Sequence, residues 1–230
     1  MTASHPQGIH ASMALYVRQL RLGPMKNFVY LVGQTGAAEV AAVDPAWDVE
    51  AITRAAADDG KRIACAVVTH CHHDHVNGLP ELLRRMDVPV YAQKRELEFD
   101  ADLRAVGDAM KGVDPGDAIQ IGPLPAKLLH TPGHTPGSHC LLTGDALLSG
   151  DTLFANHCGR CDLPGGNPED MFRTIDQVLR RLPPETRLFP GHDYGDVPVS
   201  SIAREQEKNP YFQYRDPASF VAYRMRPRDD

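Results

Sequence analysis

From residue 69 to residue 78 the sequence reads THCHHDHVNG, and four of the chain's eleven histidines fall with an aspartate between His70 and His75, straight after the apolar run IACAVV. In an extended segment alternate side chains point the same way. His70, His72 and Asp74 therefore share one side of the chain leaving a strand, and Cys71 and His73 face the other. His75 joins the first group as the chain turns into the helix expected next. Three imidazoles and a carboxylate gathered at the carboxyl end of a strand form a metal site by residue type, suited to zinc, iron or manganese. On this reading His73 is a bystander.

Working outward, ALYVRQL, NFVYLVG and VAAVDP are short β-rich runs broken by turns, so the chain opens as an antiparallel meander. Residues 48–60 change to helical spacing, with Val49, Ile52, Ala55 and Ala56 inward, Asp48 as cap and Gly60 as stop. After the histidines come a helix at LPELLRRM with Pro80 in its first turn, a strand at VPVYA and a helical stretch from Lys94. DAIQIG, AKLLH, HCLL and ALLSG form a second strand series. An amphipathic helix is expected from Pro168 to Leu182, with Met171, Ile175, Val178 and Leu179 inward. A last strand at TRLFPGH and a last helix at SSIAREQEK complete a layered α/β or α+β class.

With 230 residues and no linker-like interruption, one domain over 1–230 is expected, its residues 1–12 flexible and 200–230 forming a short helix and tail. A net charge of −6 offers no basic field for nucleic acid or an anionic membrane. No run of about 18 apolar residues is present, and MTASHPQGIHASM has neither a basic start nor an apolar block, so a cytoplasmic protein is expected. Five cysteines fit a reduced compartment better than a disulfide framework. Oligomeric state is not legible.

Three further stretches each end a strand in a glycine-rich turn bearing a potential ligand: LLHTPGHTPGS with His134, LLSGDTLF with Asp151 and LFPGHDYG with His192. In this order THCHHDH, TPGHTPGS, SGDTLF and PGHDYG resemble the metallo-β-lactamase superfamily, in its glyoxalase II-like branch of thioester hydrolases and persulfide dioxygenases. The resemblance runs from about Asn27 to Pro210. It implies a four-layer αββα sandwich with the metals at the edge where two sheets meet. By motif position, His70, His72 and His134 would hold one metal and Asp74, His75 and His192 the other, with Asp151 bridging. Asp44 matches an aspartate the family places near the site, read as support for a ligand histidine.

Other candidates read as structure. Asp145 fits a hairpin turn, and His130 and His139 flank the His134 turn as hydrogen-bonded strand residues. His157 lies in a loop that borders the substrate in the family. Cys158 and Cys161 form a C-x-x-C with no second pair to complete a structural zinc site, so they read as ordinary thiols.

The expected chemistry is hydrolysis of a thioester, with glutathione-linked thioesters among the candidates, by a hydroxide shared between two divalent metals, zinc foremost with iron or manganese as alternatives. Asp74 would take a proton from the water, and Tyr194 would offer a hydroxyl to the substrate. The alternative is a persulfide dioxygenase with a single iron held by two histidines and a carboxylate. A lactonase and a noncatalytic metal-binding scaffold rank lower. Only 38 residues follow His192, where classical glyoxalase II carries a longer glutathione-gripping region. Arg204, Lys208, Arg215 and Arg224 are the basic residues there that could meet a glutathione carboxylate.

Overall fold

The structure, a computed structural model, describes residues 14–227. The flexible start expected over residues 1–12 lies outside them. The first sheet contains β1 (Leu15–Leu22), β2 (Asn27–Gln34), β3 (Glu39–Val43), β4 (Arg62–Val67), β5 (Val90–Gln93) and β6 (Met110–Val113), in that spatial order. The expected meander forms its antiparallel edge, and β3 to β6 continue in parallel. Parallel neighbours need crossovers. Helices α1 (Val49–Asp58), α2 (His73–Val76), α3 (Leu79–Arg85), α4 (Lys94–Phe99) and α5 (Ala101–Arg104) lie within these connections.

The second sheet is built from β7 (Ala118–Ile121), β8 (Leu124–His130), β9 (His139–Thr143) and β10 (Ala146–Gly150), a run of antiparallel neighbours. A two-residue hairpin follows, β11 (Leu153–Phe154) with β12 (His157–Cys158). After helix α6 (Pro168–Arg173), strand β13 (Arg187–Pro190) pairs in parallel with β10, and β14 (Ser200–Ser201) closes the edge.

Three apolar layers result from period-2 alternation in strands buried on both faces. Val29 and Leu31 of β2 pack outward with Ile52 of α1 and Leu79 and Leu82 of α3. Phe28, Tyr30 and Val32 point inward against Leu128, Leu141 and Leu148 of the second sheet. The outer face of that sheet, through Cys140 and Leu147, meets Met171, Phe172, Ile202 and Phe220. The order helix, sheet, sheet, helix is the αββα sandwich. In α1, Val49, Ile52, Ala55 and Ala56 are buried and the Asp48 carboxylate accepts the Ala51 N–H at 2.8 Å, a cap worth about 1 kcal/mol.

Three expectations need correction. The helix expected over 168–182 is α-helical only to Arg173, then passes through a π turn at Thr174–Val178 and a 3-10 turn at Leu179–Arg181. Val178 is consequently half-buried while Met171, Ile175 and Leu179 stay inside. SSIAREQEK does form a helix, α7 (Ile202–Lys208), but it is not the last. A 3-10 turn (Pro210–Phe212) and α8 (Pro217–Arg224) follow, and Tyr211, Phe212 and Phe220 enter the outer core.

The carboxyl ends of β4, β8, β10 and β13 converge on one edge, where the sheets are tied together. Phe28 N–H donates to Gly191 O at 2.8 Å, His139 N–H to Thr69 O at 3.0 Å, and Tyr30 O–H to Pro190 O at 2.6 Å.

Candidate metal centre

His70 and His72 leave β4 extended, but the chain enters α2 at His73 with His72 as its N-cap. Asp74 and His75 therefore reach the site from a helical first turn, not from the extended alternation expected for Asp74. Cys71 is turned away, its N–H donating to Glu96 Oε1 at 2.7 Å. His73 is exposed and meets the Trp47 ring edge-on. His134, Asp151 and His192 arrive from the ends of β8, β10 and β13.

Three three-donor groups result: Asp44 with His70 and His75, and two clusters that flank Asp151, one of His70, His72 and His134 and the other of Asp74, His75 and His192. His72 Nδ1 lies 2.9 Å from His134 Nε2, and His75 Nε2 lies 3.0 Å from His192 Nε2. Asp151 stands between them, Oδ2 being 3.6 Å from His134 Nε2 and 3.4 Å from His192 Nε2, and Oδ1 3.3 Å from His75 Nε2. Asp74 Oδ2 is 3.2 Å from His192 Nε2. Gly191 is required at this point, because a Cβ would strike the Asp151 carboxylate and the His75 ring.

The outward ring nitrogens are engaged, which fixes what faces inward. His75 Nδ1 meets Asp44 Oδ2 at 2.9 Å, His134 Nδ1 meets Arg160 O at 2.8 Å, and His192 Nδ1 meets Met25 O at 2.9 Å. His70 Nδ1 is 3.1 Å from Thr69 Oγ1, which itself donates to Asp44 Oδ2 at 2.7 Å. Each of these four rings thus presents Nε2 to the centre, while His72 presents Nδ1. Asp44 does this from a left-handed backbone at φ 50°, which costs about 1 kcal/mol and is held by Thr69 N–H donating to Oδ1 at 2.7 Å.

The charges fit a cation. Burial pushes His70 down, and takes His134 to about 4, so both are neutral and in the ligand form. Burial also opposes charge on His75 and His192. There, however, the Asp151 carboxylate with Asp44 or Asp74 outweighs it, holding His75 well above its ordinary value and His192 at about 9. Burial would raise Asp151, yet His75 and His192 hold it well below the usual carboxylate range. Protons on both imidazoles would aim two donors at each other across 3.0 Å. A cation between them lets both present lone pairs. His70 Nε2 and Asp151 Oδ1 are buried with no hydrogen-bond partner among the described residues, which in a polar interior marks atoms awaiting a ligand.

Asn27, Trp47 and Glu96 contribute to the site without having stood out in the sequence. Asn27, fully buried at the start of β2, donates through Nδ2 to Asp74 Oδ2 at 2.8 Å and accepts from Trp47 Nε1 at 2.8 Å. Glu96, also fully buried, takes Cys71 N–H on Oε1, and Gly137 N–H at 2.7 Å and Thr135 O–H at 2.9 Å on Oε2. It thereby clamps the His70–His72 segment to the loop bearing His134.

A cleft of about 510 Å³ opens over the donors and is lined by Met25, Phe154, His157, Arg160, Leu163 and Tyr194 among others. Tyr194 stacks on His192 at 4.4 Å between ring centres, and burial with the Asp151 and Asp74 charges pushes its hydroxyl up to about 12. Asp145 lies away at the β9–β10 turn, paired with Arg187 at 2.7 and 2.8 Å. His130 Nε2 lies 2.9 Å from Pro136 O, and His139 is buried in β9. All five cysteines are buried thiols.

Arg204, Lys208, Arg215 and Arg224 of the tail stand apart from the donors. Arg224 is buried, its Nε donating to Gly159 O at 2.8 Å, and Arg204 is held by Asp196 and Glu205. Lys208 and Arg215 are exposed, and none of the four lines the cleft. No helix among the described residues is long and apolar enough to cross a membrane.

Comparison with known proteins agrees with this geometry. The family model described as the metallo-beta-lactamase superfamily matches residues 22–192. A probable polyketide biosynthesis zinc-dependent hydrolase, PksB of Bacillus subtilis, is 32% identical over 200 residues, covering 87% of this chain and 88% of its own. A hydroxyacylglutathione hydrolase of Alkalilimnicola ehrlichii is 37% identical over 189 residues, covering 82% and 70%. The crystal structure of ETHE1 from Myxococcus xanthus superposes with a TM-score of 0.82 at 29% identity, covering 93% and 92%. Its bovine namesake is called a persulfide dioxygenase. With the fold, the motif order and these relatives in agreement, the chain belongs to the metallo-beta-lactamase superfamily, in the glyoxalase II-like part of it.

Proposed function

We propose that this chain is a metal-dependent thioester hydrolase. The observation that carries the reading is the pair of three-donor clusters joined by Asp151, whose two oxygens reach toward both. His70, His72 and His134 would hold one divalent cation and Asp74, His75 and His192 a second, with Asp151 available to both. Imidazole and carboxylate donors with Cys71 turned away suit zinc, and also iron or manganese. Bound there, such ions lower the pKa of water and polarise a carbonyl under attack.

The chain's own groups supply the rest. Asp74, kept ionised by His192, His75 and Asn27 against the effect of burial, accepts the proton of the attacking water transiently. Tyr194, protonated at neutral pH, donates a hydrogen bond to the substrate from the rim of the cleft. Phe154 and Leu163 give the cleft an apolar wall beside the reacting carbonyl.

Likeness to ETHE1 over nearly the whole of both chains favours a second reading, a mononuclear-iron persulfide dioxygenase. One experiment separates the two. Metal-loaded protein is given S-lactoylglutathione and S-hexanoylglutathione without oxygen, and glutathione persulfide in an oxygen electrode. The hydrolase reading expects anaerobic thioester cleavage; oxygen uptake with persulfide and no cleavage of either thioester would replace it with the second.

A further inference from the structure

A second cavity, of about 580 Å³, lies beside the cleft. His72 and His73 line both cavities, and the consecutive residues Leu163 and Pro164 face one each. The two are thus neighbours along either wall. Gly165, next to Pro164 and at φ +80°, has no room for a Cβ because the Phe99 ring and Pro136 press against it.

The second cavity differs from the cleft in chemistry. Val76, Leu79, Pro80, Phe99, Leu103 and Val106 form the apolar part of its wall. Its charged side chains are Asp100 and Asp102, and no lysine or arginine lines it among the described residues. The cleft instead carries Arg160, paired with Asp162 at 2.8 Å. Among the exposed large apolar residues, Met25 and Tyr194 rim the cleft and Phe99 the groove, while Val199 and Met225 line neither.

We propose that this groove is the acyl-chain subsite of the thioesterase, taking an uncharged aliphatic acyl group of medium or greater length. This rests on the hydrolase reading above. A thioester whose carbonyl lies over the donors has two arms to place. The Asp100 and Asp102 carboxylates disfavour an anionic thiol portion such as glutathione in the groove. The apolar acyl arm is left for the groove, where a buried methylene is worth up to about fourfold in binding. The size lies within the range of ordinary ligand pockets.

The test uses the metal-loaded protein and acetyl, butyryl, hexanoyl and octanoyl thioesters of N-acetylcysteamine, so that only the acyl arm changes. The expected kcat/KM rises by more than about tenfold from acetyl to octanoyl, mainly through KM, as for binding shared by ground and transition states. Val106→Trp, which fills the groove, and Phe99→Asp, which charges its mouth, should each flatten that rise to within about threefold and leave acetyl cleavage within about twofold. Circular dichroism and thermal melting report folding, and Phe99, already partly exposed, provides the variant least able to disturb the core. A flat series in the unaltered protein overturns the proposal while the hydrolase reading stands. So does a rise that persists in a folded Phe99→Asp variant. Cleavage of no member of the series and of neither glutathione thioester overturns the hydrolase reading itself, and the subsite with it.

Discussion

Asp44 Oδ2 sits 2.9 Å from His75 Nδ1, and the same oxygen accepts the Thr69 hydroxyl whose Oγ1 lies 3.1 Å from His70 Nδ1. One buried carboxylate therefore orients a histidine in each donor cluster, His75 directly and His70 through a hydroxyl. Asp44→Asn keeps the volume but replaces one acceptor oxygen by a donor facing donors. Loss of such an outer partner typically lowers metal affinity by about 10–100-fold. Competition for added zinc against a chromogenic chelator should show that loss, and unaltered affinity would mean that Asp44 orients neither ring.

Glu96 should behave differently, because it holds loops and touches no donor side chain. Glu96→Ala leaves Cys71 N–H, Gly137 N–H and the Thr135 hydroxyl without their acceptor. Each such buried loss costs about 1–3 kcal/mol. At about 2–4 °C per kcal/mol for a chain of this size, the melting temperature should fall by about 5 °C or more. Metal content should fall with it, most at the cluster spanning the two clamped loops, His72 and His134. A variant that melts normally and retains full metal would show the clamp to be dispensable.

What the sequence revealed follows from the range over which each signal acts. The capped helix α1, the strands β7 to β10 and the turns bearing His134, Asp151 and His192 are local patterns of period and punctuation, and they were legible. Glu96 was not, because KRELEF has the composition of an exposed helix and only the approach of two distant loops buries its carboxylate. Asn27 reads as an ordinary strand start until Asp74 is brought beside it. The hairpin β11–β12 is shorter than any periodicity. Helix α8 did carry a signal, since Asp216 caps it by accepting Ser219 N–H at 2.8 Å with Pro217 next, the pattern of a helix start. Strand alternation misplaces Asp74, since the chain has already turned helical there, although the donors converge regardless.

Metal removal should be read in stability as well as activity. Donors from four strand ends are brought together only in the folded chain, so bound metal stabilises by mass action, about 2.7 kcal/mol at a hundredfold excess over Kd. Dialysis against a chelator should lower the melting temperature by about 5–10 °C, and one equivalent of added zinc should restore part of that loss. A melting curve unchanged by demonstrated metal loss would contradict a centre that links the sheets.

Two aspartates six positions apart give the sharpest contrast. Asp145 and Asp151 both follow a glycine at the end of an apolar run, so local sequence hardly separates them. In the fold, Asp145 is an exposed partner of Arg187, with side-chain exposures of 54% and 42%. Exposed pairs contribute about 0–1 kcal/mol. Asp145→Asn should therefore move the melting temperature by no more than about 3 °C and leave turnover unaltered. Asp151→Asn removes a charge from the carboxylate that lies between the clusters, where His75, His134 and His192 all come within 3.6 Å. Turnover should drop by at least about 100-fold, and metal analysis should show less than the full complement. Equal effects of the two substitutions, or near-normal turnover in Asp151→Asn with its metal retained, would deny Asp151 its place between the clusters.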